Sequence, residues 1–266
     1  MSTTATRVDG LFNFRDTGGM PLAAGGVSRQ GVLFRSDALN ALTPDGLDAV
    51  AATDIGVIVD FRTPEERTAA PDRLPTDREY RVVQLSILEG AMADLAKQAL
   101  SDGAAATPEQ LAQVAASVPS LGDMYVGMLQ HGAPQFAEVA KLIAASNDDT
   151  ASAVLVHCTA GKDRTGVATA LMLDAAGVDR AAVIADYASS EEHLAGPWAD
   201  GMLHMITSFG LPITPQLREL ATGTPPAAIE QALAWVDANH GGAAAYLQSG
   251  GLSDGELAAL RTRIAG

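Results

Sequence analysis

Only one cysteine, Cys158, occurs among the 266 residues. No intramolecular disulfide can form, and a reducing compartment is the expected setting. Basic residues are also scarce: 17 Lys and Arg stand against 32 Asp and Glu, giving a net charge of −15. Nucleic acid and anionic membranes both need a broad basic face, so neither is expected as a partner. Any anion must be held by a local positive pocket set in an acidic body. No apolar run reaches the length of a membrane span, and the stretch from Met1 to Arg7 lacks the apolar core of a secretory leader. The expected location is the cytoplasm, with export by a leaderless route left open. The five histidines are scattered and none has a partner at i+3 or i+4, so the sequence offers no metal set and no cofactor is expected.

Apolar residues make up 47% of the chain, enough for a full core, and the length suits a single α/β unit. No repeat or low-complexity linker marks a boundary. The expectation is one domain over 1–266, with a loose tail at 1–9. Leu11 to Gly19 alternates apolar and polar before a double glycine, and Val32 to Arg35 reads as a strand, which together suggest a small N-terminal hairpin or ribbon. Arg15 and Arg35 lie near the strand ends. Each reads either as a surface ion pair or as added positive charge for an anion pocket. Thr43-Pro44 starts a helix that Gly56 is expected to break. Val57 to Phe61 is a short β-branched run suited to a central covered strand. Thr63-Pro-Glu-Glu66 is a capping box, so Asp60 and Arg62 fall at the carboxyl end of a strand just before a helix, where open α/β sheets bind ligands.

Tyr80 to Leu85 predicts a further strand. The alanine-rich region 88–122 carries two helical patterns and reads as an inserted helical segment over the sheet, or as ordinary packed helices. Phe136, Val139, Ala140 and Ile143 predict a helix over 134–145. From 196 onward the chain predicts only helices and turns. Trp198, Met202, Met205, Ile206 and Phe209 form one apolar face; Ile229, Leu233 and Val236 form another. Ser253 to Glu256 caps the last helix. Strands alternating with helices imply an α/β fold with a central, mostly parallel sheet.

Val154 to Val167 is where the chemistry concentrates. Buried-type residues lead through His157 to Cys158, a short polar loop follows, and a helix begins near Val167. Loop N–H groups and the positive end of the helix dipole suit a tetrahedral dianion, and the same field favours a thiolate. Cys158 is then the nucleophile. Thr159, Ala160, Gly161, Lys162, Asp163 and Arg164 form the phosphate-binding turn. Gly161 permits the tight curl. Arg164 offers a planar fork to two phosphoryl oxygens. Thr165 can donate to the sulfur as it leaves, and His157 braces the loop. The leaving oxygen needs a proton donor. Asp163 is the first candidate and Asp60 the second, although Asp163 could instead simply pair with Lys162 or Arg62. An inert cysteine at a strand end is the bland alternative; the crowding of Lys, Asp and Arg at one strand exit argues against it. The loop therefore predicts hydrolysis of phosphate monoesters.

The string His157-Cys-Thr-Ala-Gly-Lys-Asp-Arg-Thr-Gly166 resembles the signature of cysteine-dependent phosphatases, and in particular the atypical bacterial tyrosine/lipid phosphatases of the PtpB type. Asn13 to Gly19, Gly31 to Asp37, Val59 to Glu66, Ala185 to Tyr187 and Gly241 to Leu252 resemble further blocks of that family, in order. The resemblance implies a cysteine-phosphatase fold and a phosphocysteine intermediate at Cys158. It also implies phosphate binding by residues 159–164, a proton role for Asp163 with Asp60 close by, and helical lids, placed at 88–122 and about 195–222. Implied substrates are phosphotyrosine or phosphoserine/threonine proteins, or phosphoinositides, for which Lys162 would be a second cation. A phosphate-binding module without turnover and a sulfurtransferase are the competing readings; the Lys162 to Thr165 run favours phosphate chemistry over sulfur transfer. Oligomeric state is not legible.

Overall fold

The computed structural model describes residues 8–87, 119–208 and 210–266. Most of the segment expected as the first lid, 88–118, therefore lies outside the described residues, with both of its helical patterns. So do Phe209 and residues 1–7 of the expected tail.

Five strands form one sheet: β1 (Arg15–Asp16), β2 (Leu33–Ser36), β3 (Ile55–Asp60), β4 (Arg81–Gln84) and β5 (Ala153–His157). Their order is β1-β2-β5-β3-β4, with β1 antiparallel and the rest parallel. The N-terminal pair is thus the edge of the main sheet and not a separate ribbon. β5 lies in the middle and is buried along its whole length. Its side chains alternate: Val154 and Val156 join one apolar cluster, Ala153 and Leu155 the other. Each large aliphatic side chain so covered contributes roughly 1.5–3 kcal/mol.

The second cluster is the smaller. It packs Leu155, Ile55, Ile58 and Phe34 against Leu39, Leu42 and Val50, the last from α1 (Pro44–Ala51). α1 ends before Gly56, which does not break it. Gly56 sits inside β3 instead, where an added Cβ would lie 1.8 Å from the Ala151 carbonyl oxygen. The close approach of the chain entering β5 is what requires glycine there. α2 (Pro64–Ala69) carries the expected capping box, Thr63 to Glu66 in both directions.

The larger cluster covers the other face. α3 (Leu121–Ala144) begins at a Ser120 cap and passes through Pro134, so it starts 13 residues before the predicted helix. Its added turns bury Leu121, Tyr125, Met128 and Leu129. α4 (Arg164–Ala175) is buried on almost all sides, as expected of a central helix. α5 (Arg180–Leu194) is capped by Asp179. α8 (Pro226–His240), α9 (Ala243–Ser249) and α10 (Asp254–Ala265) close this face. α6 (Pro197–Ser208) and α7 (Pro215–Thr222) fill the expected second lid segment. The apolar face predicted for α6 is only partly covered: Ile206 is buried, whereas Met205 is 46% exposed.

Candidate active site

β5 delivers the chain to Cys158, and α4 takes it up at Arg164. Within this turn Cys158, Ala160, Gly161, Lys162, Asp163 and Arg164 are buried and Thr159 is exposed. Gly161 has φ +69°, and a Cβ there would lie 2.3 Å from the Ser36 carbonyl oxygen, so the curl requires glycine.

Three carbonyls of the turn are tied from outside. Thr159 O accepts from Ala38 N at 3.1 Å. Ala160 O and Gly161 O accept from Asn13 Nδ2 at 3.1 and 2.9 Å. Arg35 Nη2 also donates to Gly161 O, at 2.7 Å. In a trans peptide the N–H points opposite to the C=O. Anchoring these carbonyls outward turns the N–H groups of Ala160, Gly161 and Lys162 to the inside. Gly161 N–H indeed donates to Cys158 Sγ at 3.3 Å. Cys158 is 1% exposed, and its sulfur lies at the base of an N–H cradle whose other wall is the N-terminus of α4.

Arg15 and Arg35 form ion pairs, as one reading of the sequence has it, but buried ones and not at the surface. Both pair with buried Asp186 of α5. Arg15 also holds Asn13 Oδ1, which leaves Asn13 Nδ2 to face the loop. Burial raises the Asp186 carboxyl, but Arg35 and Arg15 outweigh it and leave it below its ordinary value. Burial and neighbouring Arg35 bring Arg15 down to about 10.

Arg164 lies in a two-pronged pair with Glu66: Nη1 reaches Oε2 at 2.7 Å and Nη2 reaches Oε1 at 2.8 Å. Thr159 Oγ1 donates to the same carboxylate at 2.6 Å, and Thr63 N–H donates to it at 2.8 Å. Burial pushes Glu66 up, yet these partners, Arg164 above all, hold it at about 2. The sequence shows Glu66 only as the third residue of a capping box; its hold on Arg164 spans 98 positions and leaves no local trace.

Asp60 is fully engaged by Arg62. Its Oδ1 accepts from Arg62 N and Nε and its Oδ2 from Nη2, all at 2.9 Å. Arg62 Nη2 also bonds Asp72 Oδ2 at 2.7 Å. His157 Nε2 lies 3.4 Å from Asp72 and 4.0 Å from Asp60. Burial raises Asp72, and His157 and Arg62 outweigh it. Asp60, Asp72 and His157 could converge on a cation, but the Arg62 guanidinium already supplies the positive charge between the two carboxylates. Thr165 Oγ1 is buried and finds no hydrogen-bond partner among the described residues, the sulfur included.

Asp163 pairs with Lys162, Nζ to Oδ1 at 2.8 Å, and Tyr125 Oη donates to the same oxygen at 2.7 Å. Lys162 Nζ also caps the end of α7 through Leu220 O at 2.9 Å and Gly223 O at 3.3 Å. Among the described residues, the cations around the loop are thus all paired with carboxylates: Arg164 with Glu66, Lys162 with Asp163, Arg62 with both Asp60 and Asp72, and Arg15 and Arg35 with a shared Asp186. Within these pairs the side-chain charges balance, which leaves the inward N–H groups and the α4 dipole as the unpaired positive contributions at the turn. A cleft of about 400 Å³ opens beside Thr159, bordered by Phe12, Arg62, Glu66 and Trp198.

Among the described residues, no helix is long and apolar enough to cross a membrane. A model of the tyrosine phosphatase family matches residues 6–266. A tyrosine-protein phosphatase of Nostoc commune is 35% identical over 233 residues, covering 86% of this chain and 73% of that protein. The triple specificity protein phosphatase PtpB of Mycobacterium tuberculosis is 26% identical over 97% of this chain and 98% of its own length. Sheet, loop and matched sequence agree, and the chain belongs to the tyrosine phosphatase family, whose members are cysteine-based enzymes.

Proposed function

We propose that the chain hydrolyses phosphotyrosine in proteins in two steps through a phosphocysteine at Cys158. The observation that carries the reading is the sulfur at the base of the N–H cradle, receiving the Gly161 N–H at 3.3 Å. In the first step the Cys158 thiolate attacks phosphorus, the P–O bond to the substrate breaks, and Asp163 gives its proton to the departing oxygen. In the second, Asp163 takes a proton from water, the water oxygen bonds phosphorus, and the P–S bond breaks to return the thiolate. The inward N–H groups and Arg164 stabilise the equatorial oxygens as charge spreads over them.

Asp163 is preferred to Asp60 because both Asp60 oxygens are engaged by Arg62 at 2.9 Å. Phosphotyrosine is preferred on two grounds. Phe12 and Trp198 border the cleft at Thr159 and suit an aryl group. Lys162, the second cation that would favour an inositol head group, has its ammonium on Asp163 and on the α7 carbonyls. The relative named triple specificity keeps the other phosphoesters in the test. One domain is proposed, with α6 and α7 as a lid: Trp198 of α6 borders the cleft, and Lys162 holds the end of α7.

Phosphate release should be measured on phosphopeptides and phosphoinositides. Cys158→Ser should abolish turnover while vanadate or phosphopeptide binding persists. Asp163→Asn should lose more rate on poor leaving groups than on good ones. Full activity of Cys158→Ser refutes the mechanism, and tight phosphopeptide binding by the wild type with no phosphate release would identify a binding module.

A further inference from the structure

Asp163 occupies the N-cap of α4, where an aspartate ordinarily accepts from the N–H groups of the first turn. Its side chain makes no such bond. The carboxylate turns instead to Tyr125 and Lys162, and both donate to the same oxygen, Oδ1, at 2.7 and 2.8 Å. Oδ2 has no hydrogen-bond partner among the described residues. This asymmetry is built from three separate elements. Tyr125 comes from α3, and its ring is completely buried. Its single hydroxyl proton goes to Asp163, so the Tyr187 hydroxyl of α5, 2.7 Å away, must donate to Tyr125. The two rings meet edge to face, with centroids 5.9 Å apart and planes at 86°. Burial, reinforced by the Asp163 charge, pushes both phenols above their ordinary value, so both remain protonated donors. Lys162 is held from behind by Leu220 O and Gly223 O.

We infer that Tyr125 is a positioning residue for proton transfer: together with Lys162 it holds Oδ1 of Asp163 and thereby assigns the acidic proton to Oδ2. The inference rests on the phosphatase reading above. With Oδ1 accepting two hydrogen bonds, a proton placed there would have to displace one of them. The proton therefore resides on Oδ2, passes from it to the leaving oxygen as the P–O bond breaks, and is replaced from water as the P–S bond breaks. Without Tyr125 the carboxyl turns more freely, and the donor oxygen faces the substrate for a smaller fraction of the time.

The test is a series of aryl phosphates spanning good to poor leaving groups, assayed for kcat and KM with wild type, Tyr125→Phe, Tyr187→Phe and Asp163→Asn. Tyr125→Phe should lose about twofold or less on the best leaving group and about tenfold on the poorest, with KM little changed. Tyr187→Phe should show the same trend more weakly. In an Asp163→Asn background, Tyr125→Phe should add no further dependence on the leaving group. A uniform loss across the series, or an additive loss in the Asp163→Asn background, overturns the inference and leaves Tyr125 a packing residue. If Tyr125→Phe does not fold, Tyr187→Phe decides by the same criterion, a uniform loss again being refuting. Absence of phosphate release by the wild type from every aryl phosphate would instead overturn the phosphatase reading itself.

Discussion

Replacing Glu66 by glutamine probes how the Arg164 fork is held. The amide preserves size and can still accept from Thr63 N–H, but it removes the charge and turns one of two acceptors toward Arg164 into a donor. The drop in the Glu66 value from 4.5 to about 2 would correspond to about 3 kcal/mol at full burial. The side chain is 31% exposed, so solvent screening leaves about 1–2 kcal/mol. For a chain of this size that lowers Tm by about 2–8 °C at neutral pH. Because the folded value is depressed, the stabilisation is fully present above pH 4.5 and is lost as pH falls from 4.5 toward 2. The Tm difference between wild type and Glu66→Gln should therefore shrink from pH 7 to pH 3, to about half or less of its neutral size. A Tm difference of the same size at both ends, or none at pH 7, would refute the assignment of this energy to the Glu66–Arg164 pair.

Two further outcomes follow from the geometry. Gly161→Ala places a Cβ 2.3 Å from Ser36 O at a φ of +69° and should abolish phosphate release and vanadate binding; its far-ultraviolet circular dichroism should remain that of the wild type, and retained vanadate affinity would show that the turn tolerates the side chain. Asp186→Asn leaves the buried guanidiniums of Arg15 and Arg35 facing each other and should cost about 3–5 kcal/mol in urea unfolding, whereas a loss below about 1 kcal/mol would mean that the cluster is solvated.

The parts of the molecule written in short stretches of sequence were legible. The β-branched runs gave β3 and β5, the caps at Thr43, Thr63 and Ser253 gave their helices, and the string from His157 to Gly166 gave the strand–loop–helix turn. The parts that depend on pairing across the chain were not. Helix α3 was expected to begin at Pro134, because the alanine-rich segment before it hides the Ser120 cap, and so Tyr125 was missed. Arg15 and Arg35 read as exposed or pocket-facing charges until Asp186, some 150 or more residues away in sequence, is seen between them. Asn13 and Glu66 belong to the site through bonds spanning 147 and 98 positions. No local pattern encodes such bonds, since the free energy of each depends on where the fold brings its partner.

The position of β5 in the sheet also bears on how the chain must be made. It is hydrogen-bonded to β2 on one side and β3 on the other, yet it is the last strand in sequence. On a ribosome adding about 5–20 residues per second, roughly 120 residues separate β2 from its partner, a wait on the order of 10 s. Through that interval β2 and β3 lack the strand that lies between them, and Val59 lacks its β5 neighbour Val156. Because β5 runs directly into Cys158, the sheet closes and the reactive turn forms in the same event. A ribosome-bound chain stopped before residue 153 should therefore depend on chaperones for solubility.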